Sequence, residues 1–120
     1  MSKNAQYEKL VDFLAARETW LTDQRDMVRL TIAHNANIVY SDVERMALIG
    51  GSAGPIAILR SLVDGVTEGS LTATQAVKEA KSEAEANLLH NSPFGTSSIG
   101  YSLIVANTTA FWQEFSRHML

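Results

Sequence analysis

The stretch Gly50-Gly51-Ser52-Ala53-Gly54-Pro55 lies between an apolar run ending Leu48-Ile49 and another beginning Ile56-Ala57-Ile58-Leu59. Its reading decides the helix count. In a helix interior glycine costs about 1 kcal/mol and proline about 3 kcal/mol relative to alanine, so three glycines and a proline in six residues predict a stop after Ile49. Pro55, with φ preset for a first helical turn, predicts a new start, and the next helix runs to about Val66. The stretch has three candidate roles: a phosphate cradle, a close-packing site or a bend. A phosphate-binding loop needs G-x-x-x-x-G-K-[ST], and a dinucleotide fingerprint needs a preceding strand and a third spaced glycine. Neither is present. The remaining expectation is a bend, with a weaker anion-binding alternative in which amides around Gly51, Ser52 and Gly54 lead into a helix N-terminus and Arg45 and Arg60 supply the cations.

Outward from this point the period is helical in both directions. Ser41-Asp42-Val43-Glu44 has the form of a capping box, which predicts a helix over Asp42–Ile49. Before it, Leu10, Phe13, Leu14, Leu21, Val28 and Ile32 recur at three- and four-residue steps with charged residues between them, so one long amphipathic helix spans about Asn4 to His34. A helix of roughly eight turns needs long neighbours or a second chain to cover both of its ends. On the other side, Thr72-Ala73-Thr74-Gln75 is a second capping box, flanked by Leu71 and Ala76 as a hydrophobic staple. The helix it opens runs to about His90. Asn91-Ser92-Pro93-Phe94-Gly95 reads as a turn, and a last helix spans about Ser97 to Met119. No segment alternates at period two. The fold expected is all-α: one domain over residues 1–120, a small bundle of about five helices with a long N-terminal helix and a close-packed C-terminal hairpin, oligomeric in solution.

The hairpin rests on two rows of small residues. Ala76, Ala80, Ala84 and Leu88 stand every fourth position on one helix, and Ser98, Ser102, Ala106 and Ala110 on the next, so the two backbones are expected to approach closely. The last helix is also apolar around most of its circumference, and no Asp, Glu, Lys or Arg occurs from Ala86 through Gln113. Such a helix must be covered all round, either as the centre of the bundle or at a subunit interface. It is too short and too rich in serine, threonine and asparagine to be a membrane span. The interface reading assigns Ser102, Leu103, Ala106, Asn107, Ala110, Phe111, Trp112 and Phe115 to a partner-facing surface. Trp20 on the first helix joins them as an aromatic anchor, and Asn107 as an amide that fixes register.

Composition narrows the function classes. The 120 residues carry a formal charge of −3 and no cysteine, which removes disulfides and thiolate chemistry and fits a cytoplasmic location. The basic residues are scattered rather than clustered, so no nucleic-acid partner is expected. The N-terminal residues lack the unbroken apolar core of a secretory signal. His34, His90 and His118 form no metal-binding spacing, and Glu114 and His118 read as a solvated pair near a helix end. Neither cofactor nor metal is implied, and no catalytic residues are assigned. The expected function is that of a non-catalytic helical protein that self-associates and binds another protein, as an assembly or regulatory subunit. The alternative is a protein that binds or sequesters a small anion or nucleotide near Gly50–Gly54 or at a subunit interface.

Overall fold

The structure, a computed structural model, describes residues 4–33, 40–90 and 99–120, without the side chains of residues 40–42, 90 and 99–102. Four α-helices follow one another: α1 (Ala5–Ala33), α2 (Tyr40–Glu68), α3 (Ala73–His90) and α4 (Ile99–His118). Among the described residues there is no strand. The helices run up and down. Glu18 meets Arg60 and Gln24 meets Arg45 between antiparallel α1 and α2, while Lys9 Nζ donates to the carbonyl of Leu120 at 2.9 Å where α1 begins and α4 ends.

The expected stop at Gly50–Pro55 does not occur. α2 is one helix of 29 residues that passes through the whole stretch with Pro55 inside it, so the predicted second and third helices are one and the described residues form four. Proline in a helix removes the hydrogen bond to the carbonyl four residues earlier, which here belongs to Gly51. That carbonyl instead accepts the Thr108 hydroxyl of α4 at 2.8 Å. Helix propensity is a weak prior that packing overrides, and Gly51 shows how. A Cβ placed on it would lie 2.5 Å from Asn107 Cβ, 2.8 Å from the Ile104 carbonyl oxygen and 2.9 Å from the Thr108 amide nitrogen. Of the three roles considered for the stretch, the structure shows close packing.

α2 ends instead at Gly69, whose φ of 86° is left-handed. The Gly69 amide donates to the Val66 carbonyl at 3.2 Å and the Ser70 amide to the Gly65 carbonyl at 2.9 Å, the paired bonds of a Schellman cap. Other ends follow the sequence. Asn4 caps α1 by accepting the Tyr7 amide at 3.0 Å. At α3 the Thr72 amide donates to Gln75 Oε1 at 2.9 Å and the Gln75 amide to Thr72 Oγ1 at 3.1 Å, a complete capping box. The helix expected from Asp42 begins at Tyr40, and the side chain of the predicted cap, Ser41, lies outside the described residues.

The core occupies the end of the bundle where α1 and α3 begin and α2 and α4 finish. Leu10, Phe13 and Leu14 of α1 meet Ile56, Leu59 and Val63 of α2 and Phe111, Trp112 and Phe115 of α4. Phe13 touches the edges of Phe111 and Phe115 at centroid distances of 5.4 and 5.3 Å, the arrangement that aromatic quadrupoles favour. On α3, Ala76, Ala80 and Ala84 are fully enclosed. The matching row on α4 is not: Ala106 and Ala110 are exposed, and the side chains of Ser98 and Ser102 lie outside the described residues. At 100° per residue Ala106 and Ala110 share a face with Gln113 and Arg117, which are also exposed. The expected hairpin of two interlocking small-residue rows is therefore corrected to a one-sided arrangement, in which α3 supplies alanines and α4 supplies rings.

Candidate functional site

Two features organise the upper half of the molecule, where α1 and α3 finish and α2 and α4 begin. The first is the α2–α4 crossing at Gly51, where the backbones meet without intervening side chains. The Thr108 hydroxyl sits between two acceptors, the Gly51 carbonyl at 2.8 Å and the Ile104 carbonyl at 3.0 Å, and Asn107 Nδ2 donates to the Leu103 carbonyl at 2.9 Å. Glu44, Ala47, Leu48, Leu103 and Asn107 line an adjacent cleft of about 250 Å³.

The second feature is an uncovered apolar surface. The last buried residue of α1 is Leu21, and the 12 residues from Thr22 to Ala33 extend about 18 Å further at 1.5 Å per residue. Met27, Leu30 and Ile32 lie on that extension, 46, 57 and 62 % exposed. Val43, Met46 and Leu48 of α2, Leu89 of α3 and Ile104 of α4 are exposed at the same end. Among the described residues, Leu120 is the one large exposed apolar side chain at the other end.

The predicted anion contacts do not converge. Ser52 is buried and Gly51 is closed by α4, while a Cβ on Gly54 would meet nothing within 4 Å. Being inside a helix, these residues present no N-terminal amides to a ligand. Arg60 reaches across to α1, where Nε donates to Glu18 Oε2 at 2.8 Å and Nη2 to Glu18 Oε1; Nη1 pairs with Asp64 at 3.2 Å. The hydrogen bonds it donates to Glu18 hold its guanidinium above its ordinary pKa, with burial opposing and Asp64 adding to the rise. Arg45 Nε donates to Gln24 Oε1 at 3.1 Å. The cation that does stand near Ser52 is Arg17 of α1, which was not anticipated because only the fold brings residues 17 and 52 together.

Of the residues expected at an interface, Phe111, Trp112 and Phe115 are closed within this chain's own core. Trp20 packs against that core from the side, Leu103 and Asn107 are half-buried, and Ala106 and Ala110 are exposed; Ser102 has no described side chain. The exposed apolar residues of α1 and α2 were missed as interface candidates, although the apolar period of α1 does continue to Ile32. His118 and Glu114 do not pair. His118 Nε2 donates to the Lys9 carbonyl at 2.9 Å, and Glu114 is bound by Arg117. Among the described residues no group of three His, Asp or Glu converges on a point that could hold a metal ion.

Over Val43–Glu68, α2 includes an 18-residue window of mean hydropathy 1.5, long and apolar enough by length and composition to cross a membrane. In this structure α1, α3 and α4 all pack on it. Comparison with protein families, with curated proteins and with solved structures found no match.

Proposed function

We propose that this chain is a non-catalytic helical protein that works by association, and that its upper end pairs with a second copy of itself. The observation that carries this reading is the asymmetry of the bundle. One end holds a closed aromatic and aliphatic core, whereas the other extends α1 beyond its last buried residue and leaves Met27, Leu30, Ile32, Val43 and Met46 each exposed. Water contact with apolar side chains is unfavourable by roughly 25 cal/mol per Å² of apolar area, a cost that a partner seated on this end would relieve. Methionines at two positions suit a surface that repacks on contact.

α2 matches α1 in length at 29 residues, whereas α3 has 18; a second copy would cover the face of the last turns of α1 that α2 leaves open. The test is the double variant Leu30→Glu/Ile32→Glu against the control Lys78→Glu on exposed α3. The reading expects the double variant to remain folded and sediment as a single chain while the control keeps the parent's mass. Equal masses for the two variants would overturn it.

A further inference from the structure

We infer that Arg17, Ser52 and Asn107 form a receptor for one carboxylate group. Arg17 stands among three rings, its Cζ 5.1 Å over Phe13, 5.5 Å over Phe111 and 6.0 Å over Trp20. These rings stabilise the cation without using its N–H donors, and they strip part of its water. Among the described residues Arg17 has no ion pair and donates no hydrogen bond, unlike Arg60 and Arg117, whose guanidiniums are taken up by Glu18 and Glu114. It borders a cavity of about 70 Å³ whose wall includes Trp20, buried Ser52, Asn107 and Glu114.

The ligand class follows from size and charge. A cavity of about 70 Å³ admits a small polar group of a few heavy atoms such as a carboxylate. The guanidinium fork matches a carboxylate in two parallel hydrogen bonds. Asn107 uses one amide N–H on Leu103, leaving its second N–H to donate to the group. Glu114 on the rim opposes a dianion, while Arg117 offsets its charge toward a monoanion. The site shares Leu48 and Asn107 with the cleft at Glu44, and its test does not depend on self-pairing.

The probe is sodium acetate, titrated in place of sodium chloride at constant ionic strength, with the Arg17 Nε–H and Trp20 Nε1–H resonances followed by NMR. Saturable shifts of both are expected. Arg17→Gln is expected to abolish them, and Arg17→Lys to weaken binding about tenfold or more because the fork is lost. Ser52→Thr, which adds a methyl to the cavity wall and leaves Arg17 and its rings in place, is expected to block saturation even where the Arg17 variants fold poorly. Glu114→Gln is expected to tighten binding. A capped peptide carrying a single aspartate separates the sources: tighter binding than acetate assigns the site to an acidic protein segment, and weaker binding to a free small acid. Shifts that do not saturate, or that persist in Arg17→Gln and Ser52→Thr, would overturn the assignment.

Discussion

Thr108 on α4 donates its hydroxyl to the backbone carbonyl of Gly51 on α2 at 2.8 Å, across a separation of 57 residues. The bond exists because Pro55 has no amide hydrogen to give that carbonyl. A local helix defect is thereby repaired from outside the helix, and the repair pins α4 to α2 where glycine permits contact. Thr108→Val keeps the shape but strands the carbonyl, so a loss of about 1–3 kcal/mol is expected. In a Pro55→Ala background the helix recovers its own donor, and the same substitution is expected to lose less than half as much. Equal losses in urea unfolding of both backgrounds would show that the hydroxyl does not serve the proline defect.

The three glycines of the stretch are not equivalent. Gly51→Ala drives a methyl to within 3 Å of the α4 backbone, a fixed neighbour that cannot rotate away, and is expected to cost about 1–3 kcal/mol or more. Gly54→Ala meets open space and is expected to stabilise by about 0.4–1 kcal/mol, since alanine loses less entropy on becoming helical. Thermal unfolding of the two variants should move in opposite directions.

Ala106 and Ala80 make a second contrasting pair. Ala106 faces solvent beside Gln113, so Ala106→Leu is expected to change stability by no more than about 0.5 kcal/mol. Ala80 has no exposed surface, and Ala80→Leu is expected to cost about 1–3 kcal/mol through overpacking. A loss at Ala106 matching that at Ala80 would restore the two-sided hairpin that the small-residue spacing suggests.

Tyr7 offers a pH signature. Its hydroxyl pKa is raised chiefly by burial, with Arg60 opposing and Asp64 adding to the rise. A group whose folded pKa exceeds its unfolded one contributes stability that is present below the unfolded value and lost as pH climbs through the folded value. Stability is therefore expected to fall above about pH 10, the ordinary tyrosine value. Tyr7→Phe should flatten that fall in denaturant titrations between pH 9 and 11, and an unchanged slope would count against the burial of this hydroxyl.

What could be read from the sequence divides along the range of the forces involved. Local signals were legible: the Thr72–Gln75 box caps its helix with side chains within three residues of the amides they satisfy, and the first helix begins at Ala5, beside the expected Asn4. The Gly50–Pro55 stretch was misread because its continuity depends on Thr108, which no local rule connects to it. The α4 row of small residues was misread for a different reason. Its spacing is real, but Gln113 and Arg117 on the same face already mark that face as wet. Of the cations expected beside Ser52, Arg45 and Arg60 are turned toward Gln24 and Glu18 of α1, whereas Arg17 reaches Ser52 only when α1 and α2 pack.

The proposed pairing of two copies through the exposed upper end of the bundle is read out by absolute mass in solution. Light scattering after size exclusion, at concentrations from the micromolar range upward, is expected to give a defined multiple of 13.1 kDa. The Leu30→Glu/Ile32→Glu variant is expected to fall to a single chain. A mass of one chain for the unaltered protein across the whole range would contradict the account.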